Sequence, residues 1–244
     1  MTQPPPPPVT PPPPPVTPPP YQAPVAVPPI ERVRTAYLRR NETDYIFEFW
    51  TAFGWTVLTC GVYLVYVVYQ LVRRSRDHNV RRLELLDAAN AVAWERAVSQ
   101  GLADELRPSF ERVATHLDGL RRLTHEFRDP VVWLVLSIFA RGIVELIVFV
   151  LLDGDLVKHD YNEGGAENEL AFIFTRLGTP VDHPDPGRLH EKQNYVGRIL
   201  AAVFTCGVYT FFWLYNVMDD GNRHFAANWA WEDSVAQAVQ QGQA

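Results

Sequence analysis

The sequence contains few cysteines and little net charge, and both scarcities exclude classes of protein. Two cysteines among 244 residues cannot build a disulfide scaffold or a four-thiolate zinc site. A formal net charge of −6 argues against nucleic-acid binding. Lysine is also scarce, with two residues against twenty arginines, a bias typical of a high-GC bacterial gene. We therefore expect a bacterial protein with no nucleic-acid partner.

The signatures of common enzyme classes are missing as well. No Walker loop, GxGxxG, HExxH, GxSxG or CxxC motif occurs. We therefore predict a protein that is not an enzyme, with no catalytic residues, no cofactor and no metal ligands. An alternative is that histidines and acids between the second and third apolar runs bind metal: His159, His183, His190, Asp160, Asp182, Asp185 and Glu191. No spacing such as His-x3-His places them on one face, so we favour a solvated loop.

Proline is concentrated at the amino terminus. Sixteen of the 21 prolines lie before Ile30, in a segment that includes two blocks of five prolines followed by Val-Thr. Such a segment cannot form a core and favours the extended polyproline II conformation. We predict that residues 1–44 are a disordered tail, which serves either as a ligand for the aromatic groove of a partner or as a spacer.

Three long apolar runs dominate the rest of the chain. Residues 49–72 and 199–218 contain no charged residue, and residues 131–152 contain two. About 20 apolar residues suffice to cross a bilayer. We therefore predict an all-α, multi-pass protein of the plasma membrane, with the lipid bilayer as a partner. Its three transmembrane helices are predicted at residues 45–72, 131–152 and 196–218.

Arg141 and Glu145 are the two charged residues of the middle run. They are four residues apart, so a helix places them on one face. A charge inside a bilayer is costly, and pairing lowers that cost. We therefore expect an intramembrane ion pair that turns this face toward the other helices. We interpret the pair as structural, and transport or proton relay is the alternative.

A five-residue sequence occurs twice and contains both cysteines. Residues 59–63 and 205–209 both read Thr-Cys-Gly-Val-Tyr. This identity indicates two diverged copies of an apolar helix followed by a polar helix. At the centres of the runs we expect the glycines to permit close helix packing and both cysteines to be buried and unreactive.

One glycine-to-histidine spacing occurs in all three apolar runs, which makes the middle run a candidate third copy. The separation of Gly61 from His78 recurs between Gly142 and His159 and between Gly207 and His224. A continuous helix would place each histidine about 25 Å beyond its glycine. We therefore expect the histidines at or outside the lipid headgroups.

The second copy carries a longer pattern, Thr-x-Gly-Val-Tyr followed by Trp-x-Tyr, at Thr205, Gly207, Tyr209, Trp213 and Tyr215. In the first copy a valine stands in place of the tryptophan. The pattern resembles that of an uncharacterised family of small actinobacterial multi-pass membrane proteins, which often have proline-rich amino-terminal tails. The resemblance implies a membrane location and carries over no activity.

Polar segments follow each apolar run. Residues 73–129 have apolar positions at helical spacing and a break at Gly101, which predicts a helical hairpin. Residues 153–195 are predicted to form an acidic loop with a short helix at 166–177, and residues 219–244 a polar amphipathic tail.

These features predict a protein that organises partners of unknown identity through its helical hairpin and proline-rich tail. A transporter or channel subunit using the paired charges is the alternative, and self-association stays open. Arginines cluster at both ends of residues 73–129. By the positive-inside rule they place this hairpin and the carboxyl tail in the cytoplasm, and the proline tail and acidic loop outside.

Overall fold

The computed structural model describes residues 27–125, 128–185 and 191–241, and all regular secondary structure in these ranges is helical. The predicted all-α class is therefore confirmed for the described residues. In chain order the helices are α1 (Pro29–Leu38), α2 (Arg40–Thr43), α3 (Phe49–Leu58), α4 (Val62–Ser99), α5 (Ala103–His125), α6 (Pro130–Phe139), α7 (Ile143–Arg176), α8 (Tyr195–Phe204) and α9 (Val208–Gln241).

The predicted disordered tail lies outside the described residues as far as residue 26. Its remaining part, residues 27–44, differs from the prediction because it contains α1 and α2. Pro29 is the first residue of α1, where its fixed φ suits a helix start. Val33 and Ala36 on the inner face of α1 are buried in the core, and this burial stabilises the helix.

Among the described residues, none of the helices combines the length and the hydropathy that a bilayer crossing requires. The prediction of three transmembrane helices is therefore not supported. A turn divides each apolar run into a helix of ten residues and the beginning of a longer helix. The three short helices are α3, α6 and α8, and the long helices that follow them are α4, α7 and α9.

The three turns are built on Gly61, Gly142 and Gly207, whose φ angles are 86°, 87° and 90°. Glycine adopts this left-handed conformation without a steric penalty. At the first turn the N–H of Gly61 donates to the carbonyl of Thr56 at 2.7 Å, and the third turn repeats this bond at 2.8 Å. Such bonds end a helix at a left-handed glycine. The glycines therefore serve as turn residues rather than as sites of close helix packing.

The cysteines immediately precede two of these glycines. Cys60 and Cys206 have positive φ angles of 50° and 49°. Both side chains are exposed at the ends of their short helices. The prediction that they are buried is wrong, because the chain turns at the point where a continuous helix would have continued through the bilayer.

The first short helix folds back along the long helix that follows it. Nη1 of Arg74, in α4, donates to the carbonyl of Tyr45, which precedes α3, at 3.2 Å. A continuous helix would separate these residues by about 44 Å at about 1.5 Å per residue. The helices α3 and α4 therefore form an antiparallel hairpin.

The other two pairs have the same geometry. Arg128, which precedes α6, forms a salt bridge with Asp155 in α7. The guanidinium carbon of Arg198, in α8, lies 5.7 Å from the ring centroid of Trp213 in α9. We refer to α3–α4, α6–α7 and α8–α9 as the three apolar hairpins, and their turns at the glycines as the tips.

The segment that was predicted as an acidic loop is helical over much of its length. Helix α7 continues without a break to Arg176, past the start of the predicted short helix. Gly164 and Gly165 lie within this continuous helix. A Cβ atom at Gly165 would collide with the ring of His116 in α5, so this glycine permits close packing of α5 against α7.

Helix α5 completes the polar half of the molecule. The chain turns at Gly101, where the sequence places the break, and α5 then packs against α4 and α7. Its apolar stripe is buried in this core and includes Leu106, Val113, Leu117 and Leu120. The long helices α4, α7 and α9 therefore extend from the apolar hairpins into one common helical bundle.

Candidate metal centre

Three buried histidines meet between the long helices. His78, His159 and His224 belong to α4, α7 and α9, and their exposed fractions are 1%, 3% and 2%. The distances between their ring centroids are 5.0, 5.4 and 5.5 Å. These nearly equal distances place the rings around an approximate threefold axis.

The equal glycine-to-histidine spacing explains this convergence. Each long helix begins at a tip glycine, and each histidine follows its glycine at the same separation along the chain. The same three positions after each glycine form a shared buried core on the hairpin side of the histidines. They are Val67, Val68 and Leu71 in α4, Val148, Phe149 and Leu152 in α7, and Trp213, Leu214 and Val217 in α9. Because these equivalent positions pack at the same height along the common axis, the three histidines also lie at one height.

Glu163 adds a carboxylate to the three imidazoles. It lies four residues after His159, so both side chains project from one face of α7. One ligand atom from each of these four residues lies within 4.8 Å of all the others. The Nε2 atoms of His78 and His224 are 3.1 Å apart. Two nitrogens bound to one zinc ion at about 2.1 Å would be about 3.0–3.4 Å apart.

Two carboxylates orient the histidine rings. Nδ1 of His78 lies 3.0 Å from Oδ1 of Asp44, and Nδ1 of His224 lies 2.6 Å from Oδ1 of Asp160. A carboxylate at Nδ1 favours the proton there and leaves Nε2 as an acceptor that faces the centre. Burial lowers the pKa of His78 to about 3, so the ring is neutral, as a metal ligand must be.

His159 contributes two buried nitrogens whose hydrogen-bonding capacity is unused. Neither ring nitrogen has a hydrogen-bond partner among the described residues. Its Nε2 lies 3.5 Å from Oε1 of Glu163, which exceeds a normal hydrogen-bond length. A buried polar atom without a partner costs about 1–3 kcal/mol. A cation bound by Nε2 and by Glu163 would give this nitrogen a partner.

A charged layer lies directly beyond the histidines. The guanidinium of Arg82 bonds Glu163 and Glu167, and its Nη1 donates to Glu232 at 2.8 Å. Burial alone would lower the pKa of Arg82, but the carboxylates of Glu163, Glu232 and Glu167 raise it above its ordinary value. Arg82 therefore fixes the position of Glu163 beside the histidines.

The buried charged groups form one connected network. Arg81 donates to Glu232 at 2.8 Å and to Asp44 at 2.6 Å, which connects the charged layer to His78. Arg81 and Arg82 thus contact four carboxylates, and a fifth, that of Asp160, lies beside His224; the four are those of Asp44, Glu163, Glu167 and Glu232. The side chains of these seven residues are 2% exposed or less. This network connects the candidate ligands His78, His224 and Glu163 to buried charged groups.

A small cavity adjoins the histidines on the hairpin side. Its volume is about 40 Å³, which is room for roughly two or three water molecules. Besides the three histidines, its lining includes Arg74, Asp153, Asp155 and Asp220. An ion bound to the histidines would therefore have water-sized space next to it.

The predicted ion pair in the middle run is not formed. The carboxylate of Glu145, which is 1% exposed, accepts a hydrogen bond from the N–H of Gly142 and so caps its own helix. Arg141 extends instead to the first tip, where Nη1 lies 3.5 Å from the carbonyl of Cys60. The turn at Gly142 separates the two charges, which a continuous helix would have placed on one face.

No metal ligand was predicted, and of the histidines considered as an alternative, His159 and His183 do not lie together in the described part of the chain. His183 is exposed, with Nδ1 at 3.4 Å from Asn168, and His190 lies outside the described residues. His159 instead meets histidines from the other two copies. The local signal was His159-x3-Glu163, a spacing that places two ligands on one face of a helix.

The family resemblance that the sequence suggests stays a prediction. Comparisons of the chain with models of protein families, with curated proteins and with solved structures find no match.

Proposed function

We propose that this protein binds a divalent transition-metal ion between His78, His159, His224 and Glu163. The observation that carries the proposal is the convergence of these four buried side chains, one or two from each long helix, within 4.8 Å. Three imidazoles and a carboxylate suit zinc, and imidazole-rich sites also accept iron, copper and nickel. An ion there would join the three copies of the repeat at their common axis.

A hydrogen-bonded core without metal is the competing explanation. The 3.1 Å contact between His78 and His224 could be a hydrogen bond, and the side-chain nitrogen of Asn228 lies 3.0 Å from Nε2 of His224. This explanation leaves both nitrogens of His159 without partners. A metal ion bound by Nε2 of His159 would give one of these nitrogens a partner.

The adjoining cavity indicates how the ion would be used. Four protein ligands complete a tetrahedral site, and a fifth position on the cavity side would be open to water or an equally small ligand. The cavity is too small for a larger organic molecule. We therefore propose a metal centre that stabilises the bundle and exchanges only small ligands.

The proposals of partner organisation and transport lose part of their basis. The apolar stripe of α5, which was expected to bind partners, is buried within this chain. Partner binding through the proline-rich tail stays a prediction. The transport alternative depended on pairing of Arg141 with Glu145, and these residues contact different groups.

Metal analysis of purified protein tests the proposal. The full chain, purified in mild detergent without chelators and supplied with zinc, should retain roughly one zinc ion per chain after dialysis, as measured by inductively coupled plasma mass spectrometry. His159→Ala should lose most of this zinc. His183→Ala, the same change at an exposed histidine, should retain it.

A folding control keeps the result interpretable. Glu163→Gln preserves the shape of the carboxylate, and circular dichroism should show unchanged helix content with reduced zinc. Zinc at equal stoichiometry in His159→Ala, Glu163→Gln and the unchanged chain would contradict the proposal, as would a well-folded unchanged chain that retains no metal.

A further inference from the structure

The three tips expose large apolar side chains. Phe139 and Phe204, at the ends of α6 and α8, are 83% and 82% exposed, and Leu58 at the end of α3 is 72% exposed. Other exposed apolar residues surround them: Trp55, Val57, Val62, Ile138, Ile143, Val203, Val208 and Phe212. Monomeric soluble proteins seldom expose a contiguous apolar surface of this kind.

The exposed apolar surface faces more than one direction. Helix α3 packs against α9, with the rings of Phe49 and Tyr215 at 5.2 Å, and α6 packs against α4. At the start of α8, the hydroxyl of Tyr195 interacts with the carboxylate of Asp153 in α7. The short helices thus lie beside three different long helices around the axis. Their outward faces form a belt that a single flat partner surface cannot cover.

At the first and third tips, a threonine hydroxyl bonds backbone groups on both sides of the turn. The Thr59 hydroxyl donates to the carbonyl of Trp55 at 2.8 Å and accepts from the N–H of Tyr63 at 2.9 Å. The Thr205 hydroxyl repeats both bonds at the third tip, at 2.7 and 2.9 Å. Hydrocarbon offers no hydrogen bonds, so a turn that enters it needs such internal partners.

The length of the apolar hairpins matches one leaflet. Each short helix has ten residues, or about 15 Å of rise, which is half of a hydrocarbon core of about 30 Å. Charged and aromatic groups are found at the open ends, among them Glu48, Trp50 and the Arg128–Asp155 pair. This order from charged base to apolar tip is the order from headgroup to bilayer centre.

Arg141 is the exception, because its charge lies at the second tip. Its guanidinium contacts the carbonyl of Cys60, just after the end of α3, where the helix dipole is negative. The contact reduces the cost of placing this charge near hydrocarbon. The arginine also connects the first and second tips.

We propose that the three apolar hairpins insert together into one leaflet of a phospholipid bilayer and hold all the polar helices on one side of it. Three observations together select lipid as the occupant: the belt of outward apolar faces, the internal hydrogen bonds at the first and third tips, and the match of the hairpin arms to one leaflet. The inference is independent of the metal centre, since it depends only on the hairpins.

The two native cysteines allow a direct depth measurement. Cys206→Ser leaves Cys60 at the first tip, and Cys60→Ser leaves Cys206 at the third. A nitroxide on either cysteine, in full-length protein reconstituted into phosphatidylcholine vesicles, should be accessible to oxygen and shielded from a water-soluble nickel chelate. We expect a depth of about 10–15 Å below the headgroups. A nitroxide at Gln100→Cys, in the chain with both native cysteines replaced, is the control and should be accessible to the chelate.

Sidedness distinguishes insertion into one leaflet from crossing. In the chain lacking both native cysteines, Gln100→Cys and His183→Cys are introduced together at exposed positions. A membrane-impermeant maleimide added to sealed vesicles should modify both cysteines or neither in each molecule. Mass spectrometry of the intact protein counts the labels on each molecule. The result does not depend on which way the protein faces in the vesicles. Singly modified molecules as the main product would overturn the proposal. Nitroxides at the tips that are accessible to the nickel chelate would also overturn it. Strong dipolar broadening between tip nitroxides in lipid would overturn it as well and would assign the belt to contact with a second copy.

Discussion

Replacing Arg82 tests how strongly the buried charges depend on one another. Arg82→Met preserves side-chain length and removes the cation shared by Glu163, Glu167 and Glu232. All four side chains are fully buried, so three carboxylates would lose their common partner without access to water. Breaking a buried pair in this way costs about 3–5 kcal/mol. For a bundle of this size that loss corresponds to a fall in melting temperature of about 6–20 °C.

The matched control is Arg112→Met. Arg112 also forms two bonds to a carboxylate, at 2.6 and 2.9 Å to Glu169, but its side chain is 54% exposed. Removing an exposed pair should lower stability far less than Arg82→Met does, because water screens the attraction. Unfolding is followed by tryptophan fluorescence in guanidinium chloride, with detergent and chelator held constant. Adding Glu167→Gln to Arg82→Met should recover part of the loss, because one uncompensated carboxylate is removed. Equal losses in Arg82→Met and Arg112→Met would refute the reasoning.

Three further changes test other parts of the structure. Asp160→Asn removes the carboxylate beside His224 and should weaken zinc affinity about 10–100-fold with unchanged helix content. Titration against a competing chelator measures the affinity, and an unchanged value would mean that Asp160 does not orient the ring. Gly207→Ala places a side chain at φ 90° and should lower the free energy of unfolding by about 1–2 kcal/mol, and an unchanged denaturation midpoint would contradict the turn. Arg141→Ala and Glu145→Ala should be additive within about 0.5 kcal/mol, because each contacts a different group; a double variant more stable than Arg141→Ala alone would indicate an ion pair.

The repeat could be recognised from the sequence, but its geometry could not. The duplicated Thr-Cys-Gly-Val-Tyr sequence and the shared glycine-to-histidine spacing identify equivalent positions, and these positions do meet at the axis. Two helical arms, however, have the combined length and hydropathy of one membrane span. Positive φ at Gly61 is what distinguishes a hairpin from a span, and a glycine among apolar residues is equally typical of close helix packing.

The metal centre was missed because most of its ligands are far apart in the chain. His78, His159 and His224 belong to three different copies of the repeat, so no local motif contains them. Glu163 is local to His159, but one His-x3-Glu pair in an acidic segment is a weak signal. The prediction placed the histidines at or outside the lipid headgroups, and His159 within an acidic loop.

The central claim is that three histidines and one glutamate bind a metal ion at the axis, and X-ray absorption of the zinc-loaded protein tests it most directly. We expect a zinc edge spectrum with three imidazole nitrogens and one carboxylate oxygen at about 2.0–2.2 Å, including the multiple scattering characteristic of imidazole. His159→Ala should lose one imidazole or the metal itself. A spectrum of oxygen ligands alone, unchanged in His159→Ala, would contradict the account.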